Sequence, residues 1–281
     1  ARALEQSDQE GRQLLISIGC AIENLIISAD YYGFEVEVKY FPDLHNSNLI
    51  AEISFKKFRD ISLDNEHLIF MIPKRHTNRS KYDDTLLSQE FLEKIRKISN
   101  NDVQIAVLTD KEKKDVAADL ALNAQIEVMD SDSFREELSH YIKSSFTKSK
   151  VGMPGSTLGI PALISLIASK LIKKINLSRK TKKKDEDLLK RFTPAFVVIG
   201  AVRDDRMNWV KVGQLFERIW LMATRVGISC APLAAPVQVG EYYKQLQSLL
   251  DISMRPLVFF RMGCCKKMAP HSPRLGVGEV L

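Results

Sequence analysis

The stretch GCAIENLIISADYYG (19–33) recurs in outline as GQLFERIWLMATRVG (213–227). Both follow G-x3-E-x5-A-x3-G at a constant offset of 194 residues, and the same offset pairs Pro42 with Pro236. The first copy carries Ala21, Ile22, Leu25, Ile26, Ile27 and Ala29 on nearly every side, the pattern of a helix buried in a core or a subunit interface. Its closing Gly is a stop, and FEVEVKYF (34–41) then alternates strictly, as a strand with one solvated face does before the turn at Pro42-Asp43. The second copy runs into another strand at 228–233.

Over 14–42 against 208–236, five of 29 positions are identical, and apolar positions match at Ile18/Val212, Ile22/Phe216, Leu25/Ile219, Ile27/Leu221 and Phe34/Ile228. Two readings stay open. Any two buried helix–Gly–strand units resemble each other to this degree. A duplicated domain would instead pack its copies about a pseudo-two-fold axis, like a homodimer fused into one chain.

Outward from the repeat, 49–55 suggests a short strand and the segment up to Ile72 leads to a new start. Residues 84–98 have helical periodicity, with Leu86, Leu87, Phe91, Leu92 and Ile95 on one face. VQIAVLTD (103–110) predicts a strand and turn, 111–122 and 134–142 predict helices, and 150–191 reads as an insertion between strands. PAFVVIGAV (194–202) and RPLVFFRMG (255–263) are apolar strands, the latter preceding a polar tail rich in Pro and Gly. No regular βαβ rhythm emerges, so an α+β fold with helices packed on a mixed sheet is expected.

The chain has 281 residues, of which 45% are hydrophobic and 27% charged, the composition of a folded soluble protein. Much of the net charge of +6 sits in SRKTKKK (178–184), answered by DED (185–187); such a run is ordinarily a solvated, mobile loop, and no nucleic-acid partner is expected. A basic interaction protein with 178–191 as the contact is the reading that this run would otherwise support. The cysteines Cys20, Cys230, Cys264 and Cys265 show no zinc spacing, and a reducing, cytoplasmic compartment is the simplest setting. LGIPALISLIASKLIKKI (158–175) is interrupted by Pro161 and Lys170; it reads as a packed helix with a basic end, and no membrane partner is expected.

Chemistry concentrates in PKRHTNRSKYDD (73–84), where Arg75, His76, Thr77 and Arg79 bring two guanidinium groups and a hydroxyl together just before the helix expected from residue 84. Arg forks match phosphate oxygens, and amides at a helix start add donors. Alone, the cluster is unspecific and reads first as a solvated basic loop. Taken with the repeated helix, GISCAPLAA (227–235) and the C-terminal SPR (272–274), the order of motifs resembles the flavin-dependent nitroreductase family. DQEGRQLLISIGCAIENL (8–25) and FMIPKRHTNR (70–79) are similar to the mycobacterial-dormancy-type branch, whose members fuse two nitroreductase-like halves. The resemblance covers nearly all of the chain outside roughly 110–190.

That resemblance implies a helix-flanked sheet with FMN at the interface of the two halves. Arg75, Thr77 and Arg79 would hold the FMN phosphate and ribityl chain, His76 would add ring or backbone contacts, and Arg274 would be a second phosphate-binding arginine. Pro232, Leu233, Ala234 and Ala235 would form the strand-end loop against the isoalloxazine; the family often has Glu-Gly where Ala234-Ala235 stand, leaving only a backbone contact. No catalytic side chain and no metal are expected, because the flavin would carry hydride from NAD(P)H to a nitroaromatic, a quinone or a similar small acceptor. A non-catalytic flavin-binding or flavin-sequestering protein is the alternative.

The resemblance also divides the chain into an incomplete first half over 1–70 and a second half over 71–281, with a basic insertion around 150–191. The product would be a monomeric pseudo-dimer or a homodimer. A Pro-Ser-x-x-Asn-x-Gln-Pro-Trp segment that crosses the interface in family members has no near match here. The offset of 194 would put the counterpart of Arg75 ahead of residue 1, so the chain is expected to begin inside the first half and to hold at most one FMN.

Overall fold

The two copies of the repeated helix lie directly against each other in the computed structural model, which describes residues 4–58 and 68–279. They are α1 (Arg12–Tyr31) and, far along the chain, a helix over Arg206–Arg225. A Cβ added at Gly19 would stand 2.1 Å from the Val210 carbonyl oxygen, and one at Gly213 would stand 2.0 Å from that of Ile16. Only glycine allows so close an approach of two backbones. Both contacts are the same under the offset of 194, since Ile16 maps onto Val210 and Gly19 onto Gly213. A second pair repeats likewise: Glu23 is ion-paired with Arg218, and Glu217 lies within hydrogen-bonding reach of Asn24. By composition alone α1 could span a bilayer, but Leu15, Ile16, Ile22 and Ile27 on it are buried inside the protein.

Gly33 ends α1 with φ +78°, and β1 (Phe34–Tyr40) follows. It pairs antiparallel with β2 (Ala51–Phe58), Tyr40 opposite Ala51, in a two-stranded sheet of its own. Of the expected lead-in to Ile72, residues 59–67 lie outside the described residues. Then come α2 (Gln89–Arg96), β3 (Val103–Leu108), α3 (Lys111–Val128) and α4 (Asp132–Tyr141). The short pair β4 (Ile142–Lys143) and β5 (Met153–Pro154) precedes α5 (Ala162–Ser165), α6 (Ala168–Lys174) and α7 (Leu177–Arg191). The chain closes with β6 (Ala195–Ala201), α8 (Arg206–Arg225), β7 (Ile228–Pro232), α9 (Ala235–Gln238), α10 (Tyr242–Leu250) and β8 (Arg255–Cys264).

The main sheet has the order β3-β6-β8-β7. Its two inner strands are buried on both faces, which is why AFVVIGA and PLVFFRM carry no polar alternation. Val197, Ile199, Phe260 and Met262 face the core built with α1 and α8, whereas Phe196, Val198 and Phe259 face the one built with α3 and α10. Thus α1 shares a core with the sheet that the rest of the chain builds.

The four main-sheet strands pair antiparallel, and the parallel bridge between Thr77 and Cys230 at the β7 edge adds the other direction to the sheet; β4 and β5 also pair in parallel. Three expectations are corrected. The helix expected over 84–98 starts only at Gln89, because the Ser88 hydroxyl caps it by accepting from Phe91 N (3.2 Å). The basic run 178–184 is no loop but part of α7, started by Asn176 and stabilised by Glu186–Lys190 and Asp187–Arg191 pairs one turn apart. Finally, 158–175 is not one packed helix: it breaks into α5 and α6 after Pro161 and leaves Leu163, Ile164, Leu166 and Ile167 exposed.

Candidate functional site

Strand β7 lies at the edge of the main sheet, with one side open to pairing, and the segment around Thr77 takes it. Asn78 N donates to Cys230 O (3.1 Å). The Asn78 side chain is fully buried and donates to Ser229 Oγ and to Lys267 O (both 3.3 Å), while Tyr82 Oη donates to Asn78 O (2.7 Å). This lattice pins the segment 75–82 on the sheet edge, so residues 75–79 and 232–235, remote in sequence, become neighbours along one strand.

Arg75 follows the turn in which its N–H donates to Met71 O (2.8 Å). Its Nε lies 2.8 Å from Glu217 Oε1, and its guanidinium sits 4.5 Å above the Trp220 ring. Glu217 is 1% exposed; burial pushes its carboxyl above the usual range, and Arg75 is the strongest influence holding it down. The His76 ring packs against that of His271, 3.9 Å between centroids and tilted by 37°. Because a carbonyl can only accept, His76 Nδ1 carries a proton toward Lys74 O (3.0 Å), leaving Nε2 buried without a hydrogen-bond partner among the described residues. Arg274 donates to Arg75 O (2.8 Å) and Ile72 O (3.4 Å), tying the tail to the same turn.

Arg75, His76, Thr77, Arg79, His271 and Arg274 line one cavity of about 360 Å³. Its cationic character comes from side chains alone. The helix whose first amides were expected to contribute begins ten residues beyond Arg79, at Gln89.

The other predicted residues line a second, apolar cavity of about 150 Å³. Pro232, Leu233 and Ala235 form one wall, and Leu122 of α3 with Leu188 and Leu189 of α7 form another. Ala234 does not line it; it is exposed at the start of α9. The Leu233 amide is already donated to Phe259 O (2.8 Å). Arg79 lines both cavities, and Arg261 lines the apolar one.

Arg261 is 1% exposed, donates to Ser80 O (2.8 Å) and Phe192 O (3.4 Å), and lies 4.1 Å from the Tyr82 ring centre. No carboxylate among the described residues lies within 4 Å of it, and burial weakens its hold on its proton. Glu217, Asn78, His271 and Arg261 were absent from the sequence-derived set. Glu217 and Arg261 had a signal, as charges inside apolar runs, and Glu217 is also the Glu of the repeated motif. Asn78 and His271 had none beyond their place inside R-H-T-x-R and beside SPR.

No family model matches the chain. A Mycobacterium tuberculosis protein, in strains CDC 1551 and H37Rv, named "Putative NAD(P)H nitroreductase", is 22% identical over 99% of this chain and 79% of its own length. Among solved structures, the FMN-dependent nitroreductase of Mycobacterium smegmatis in complex with NADPH superposes with a TM-score of 0.49 at 15% identity, over 75% of this chain and 95% of that one. A nitroreductase-like family protein of Bacillus cereus gives a TM-score of 0.44 at 12% identity, over 81% and 97%. These relatives carry the family name that the motifs resemble.

Proposed function

We propose that the chain is an FMN-dependent NAD(P)H oxidoreductase of nitroreductase type. The observation that carries this reading is Arg79, which borders a cationic cavity on one side and an apolar one on the other. A single ligand with an anionic end and a planar apolar end fits that pair. The residues suit FMN: Arg75, Arg79 and Arg274 line the cavity that would take its phosphate, and the buried His76 Nε2, without a hydrogen-bond partner among the described residues, belongs to the same lining. The apolar cavity beside Pro232, Leu233 and Ala235 suits its ring system, and Arg79 and Arg261 in the same lining would supply hydrogen-bond donors to it. Bound FMN would supply hydride transfer from NAD(P)H to a nitroaromatic, a quinone or a similar small acceptor.

In this reading the protein binds and orients. Glu217 fixes the direction of Arg75, Arg274 clamps the turn carrying it, and Asn78 holds the segment to the sheet. Leucines of α3 and α7 exclude water from the apolar cavity. A sequestering role is favoured by one specific feature: Leu122 of α3 with Leu188 and Leu189 of α7 wall the apolar cavity, where they would cover part of a bound ring system. The reciprocal contacts of α1 and α8 support a duplicated chain, divided into halves near residues 70 and 71, with α1, β1 and β2 belonging to the first.

Reconstitution with FMN tests the binding site. Arg75→Ala combined with Arg274→Ala and Glu217→Gln, the last to avoid stranding a buried charge, is expected to abolish flavin retention after gel filtration with the circular dichroism spectrum preserved. Unchanged flavin content would place the phosphate elsewhere. Anaerobic NADPH is expected to bleach the flavin band of the wild-type holoprotein; a saturated holoprotein that stays yellow would leave only sequestration.

A further inference from the structure

Segment 159–176 presents apolar side chains that nothing in the described fold covers. Helix α5 is joined to α6 by the turn at Leu166 and Ile167; Leu163 stands three and four residues before them, and they stand four and three before Lys170, itself four before Lys174. Leu163 is 78% exposed, Leu166 58%, Ile167 57% and Ile164 49%. Ser165 alone is turned inward, where its hydroxyl accepts from Ser145 N (2.9 Å). That contact brings the 64%-exposed Phe146 to the same tip. Beneath it, Ala168 and Ile172 anchor α6 in a small cluster with Met129 and Ile142.

The rim of this tip is rich in lysine. Lys170 and Lys174 are exposed on α6, and Lys148 is exposed two residues from Phe146. None of the three has a carboxylate within 4 Å among the described residues, whereas Lys173, three residues from Lys170, is paired with Glu136. Soluble proteins rarely leave five large apolar side chains together in water without a partner. A protein groove takes a single stripe of anchors, whereas here apolar groups stand on both sides of Ser165 and come from two segments.

We propose that this tip docks on an anionic lipid bilayer, with Phe146, Leu163, Ile164, Leu166 and Ile167 at the acyl boundary and Lys148, Lys170 and Lys174 among the headgroup phosphates. Apolar burial and screened attraction to anionic headgroups act together in such interfacial binding. The proposal reverses the expectation of no membrane partner and is independent of the flavin reading.

Co-sedimentation of the full chain with vesicles of phosphatidylcholine, with and without phosphatidylglycerol, tests it. Binding is expected to phosphatidylglycerol-containing vesicles at least about tenfold better than to phosphatidylcholine alone, and to weaken with added salt. Leu163→Ser with Ile167→Ser should lose it about tenfold, and Lys170→Glu with Lys174→Glu should erase the phosphatidylglycerol preference. Both variants alter exposed positions, so unchanged thermal melts are expected to accompany the losses. Leu163→Trp gives a second readout, a blue shift of its emission on adding phosphatidylglycerol-containing vesicles. Wild-type protein that ignores both vesicle types would overturn the proposal. So would vesicle binding that survives the serine variant, or self-association in its place that the serine variant abolishes, which would make a second copy the occupant.

Discussion

Arg75 and Glu217 form a pair in which each partner determines what the other can do. Glu217 is nearly inaccessible to water, and removing Arg75 alone would strand its carboxylate, at a cost of about 3–5 kcal/mol when ionised. Burial already raises this carboxyl above its ordinary value of 4.5, so ionisation works against folding once the pH exceeds that value, and losing Arg75 deepens the effect. Thermal melts of Arg75→Ala should therefore show a larger deficit at about pH 8 than at about pH 5, and Glu217→Gln in the same background should remove the difference.

The packed imidazoles give the opposite slope once an anion is present. Desolvation, His76 and Arg274 lower the basicity of His271, so its contribution to the stability of the apoprotein is lost as pH falls below its ordinary 6.5. A bound phosphate favours the protonated His271 ring instead, and FMN should bind more tightly at about pH 6.5 than at about pH 8. Titration of His271→Gln should show a shallower profile. Of this site, Arg75, His76, Thr77 and Arg79 were legible because they are contiguous and chemically alike. Glu217 and His271 act through contacts made only by folding, over 142 and 195 residues of chain from Arg75 and His76; the repeated motif marks Glu217 but not its partner, and no local pattern announces His271.

At the scale of elements, the crossing of α1 and α8 depends on two glycines with no room for a methyl group. Gly213→Ala would drive a Cβ into the Ile16 carbonyl, and because both neighbours are backbone, the helices must separate; chemical denaturation should show a loss of at least about 2 kcal/mol. Gly227→Ala meets no atom within 4 Å and only opposes φ +76°, so about 1 kcal/mol is expected there. The paired helices were legible because both copies keep Gly, Glu, Ala and Gly in register. The helicity of 177–191 was hidden by composition: a lysine-rich run reads as solvated until the Glu186–Lys190 spacing and Leu189 in the core are weighed with it. In 158–175 hydrophobicity misled the other way, since apolar residues imply burial only where a neighbour exists to cover them.

For the whole molecule, α+β architecture followed from the alternation of segment types, but the order β3-β6-β8-β7 did not, because strand neighbours are chosen by long-range packing that a single strand does not encode. The same holds for the two cavities, which share Arg79 only because residues 75–79 dock on the edge of β7. One such pair of cavities predicts one FMN per chain, which a fluorescence titration at protein concentrations above the dissociation constant would count. That edge docking also couples occupancy to local opening. A ligand spanning both cavities would act as a clasp across the seam between Thr77 and Cys230, so detaching the segment would require releasing the ligand first. Solvent exchange of the Asn78 amide proton, held by Cys230 O, should then slow on ligand addition, making this one N–H a reporter of closure.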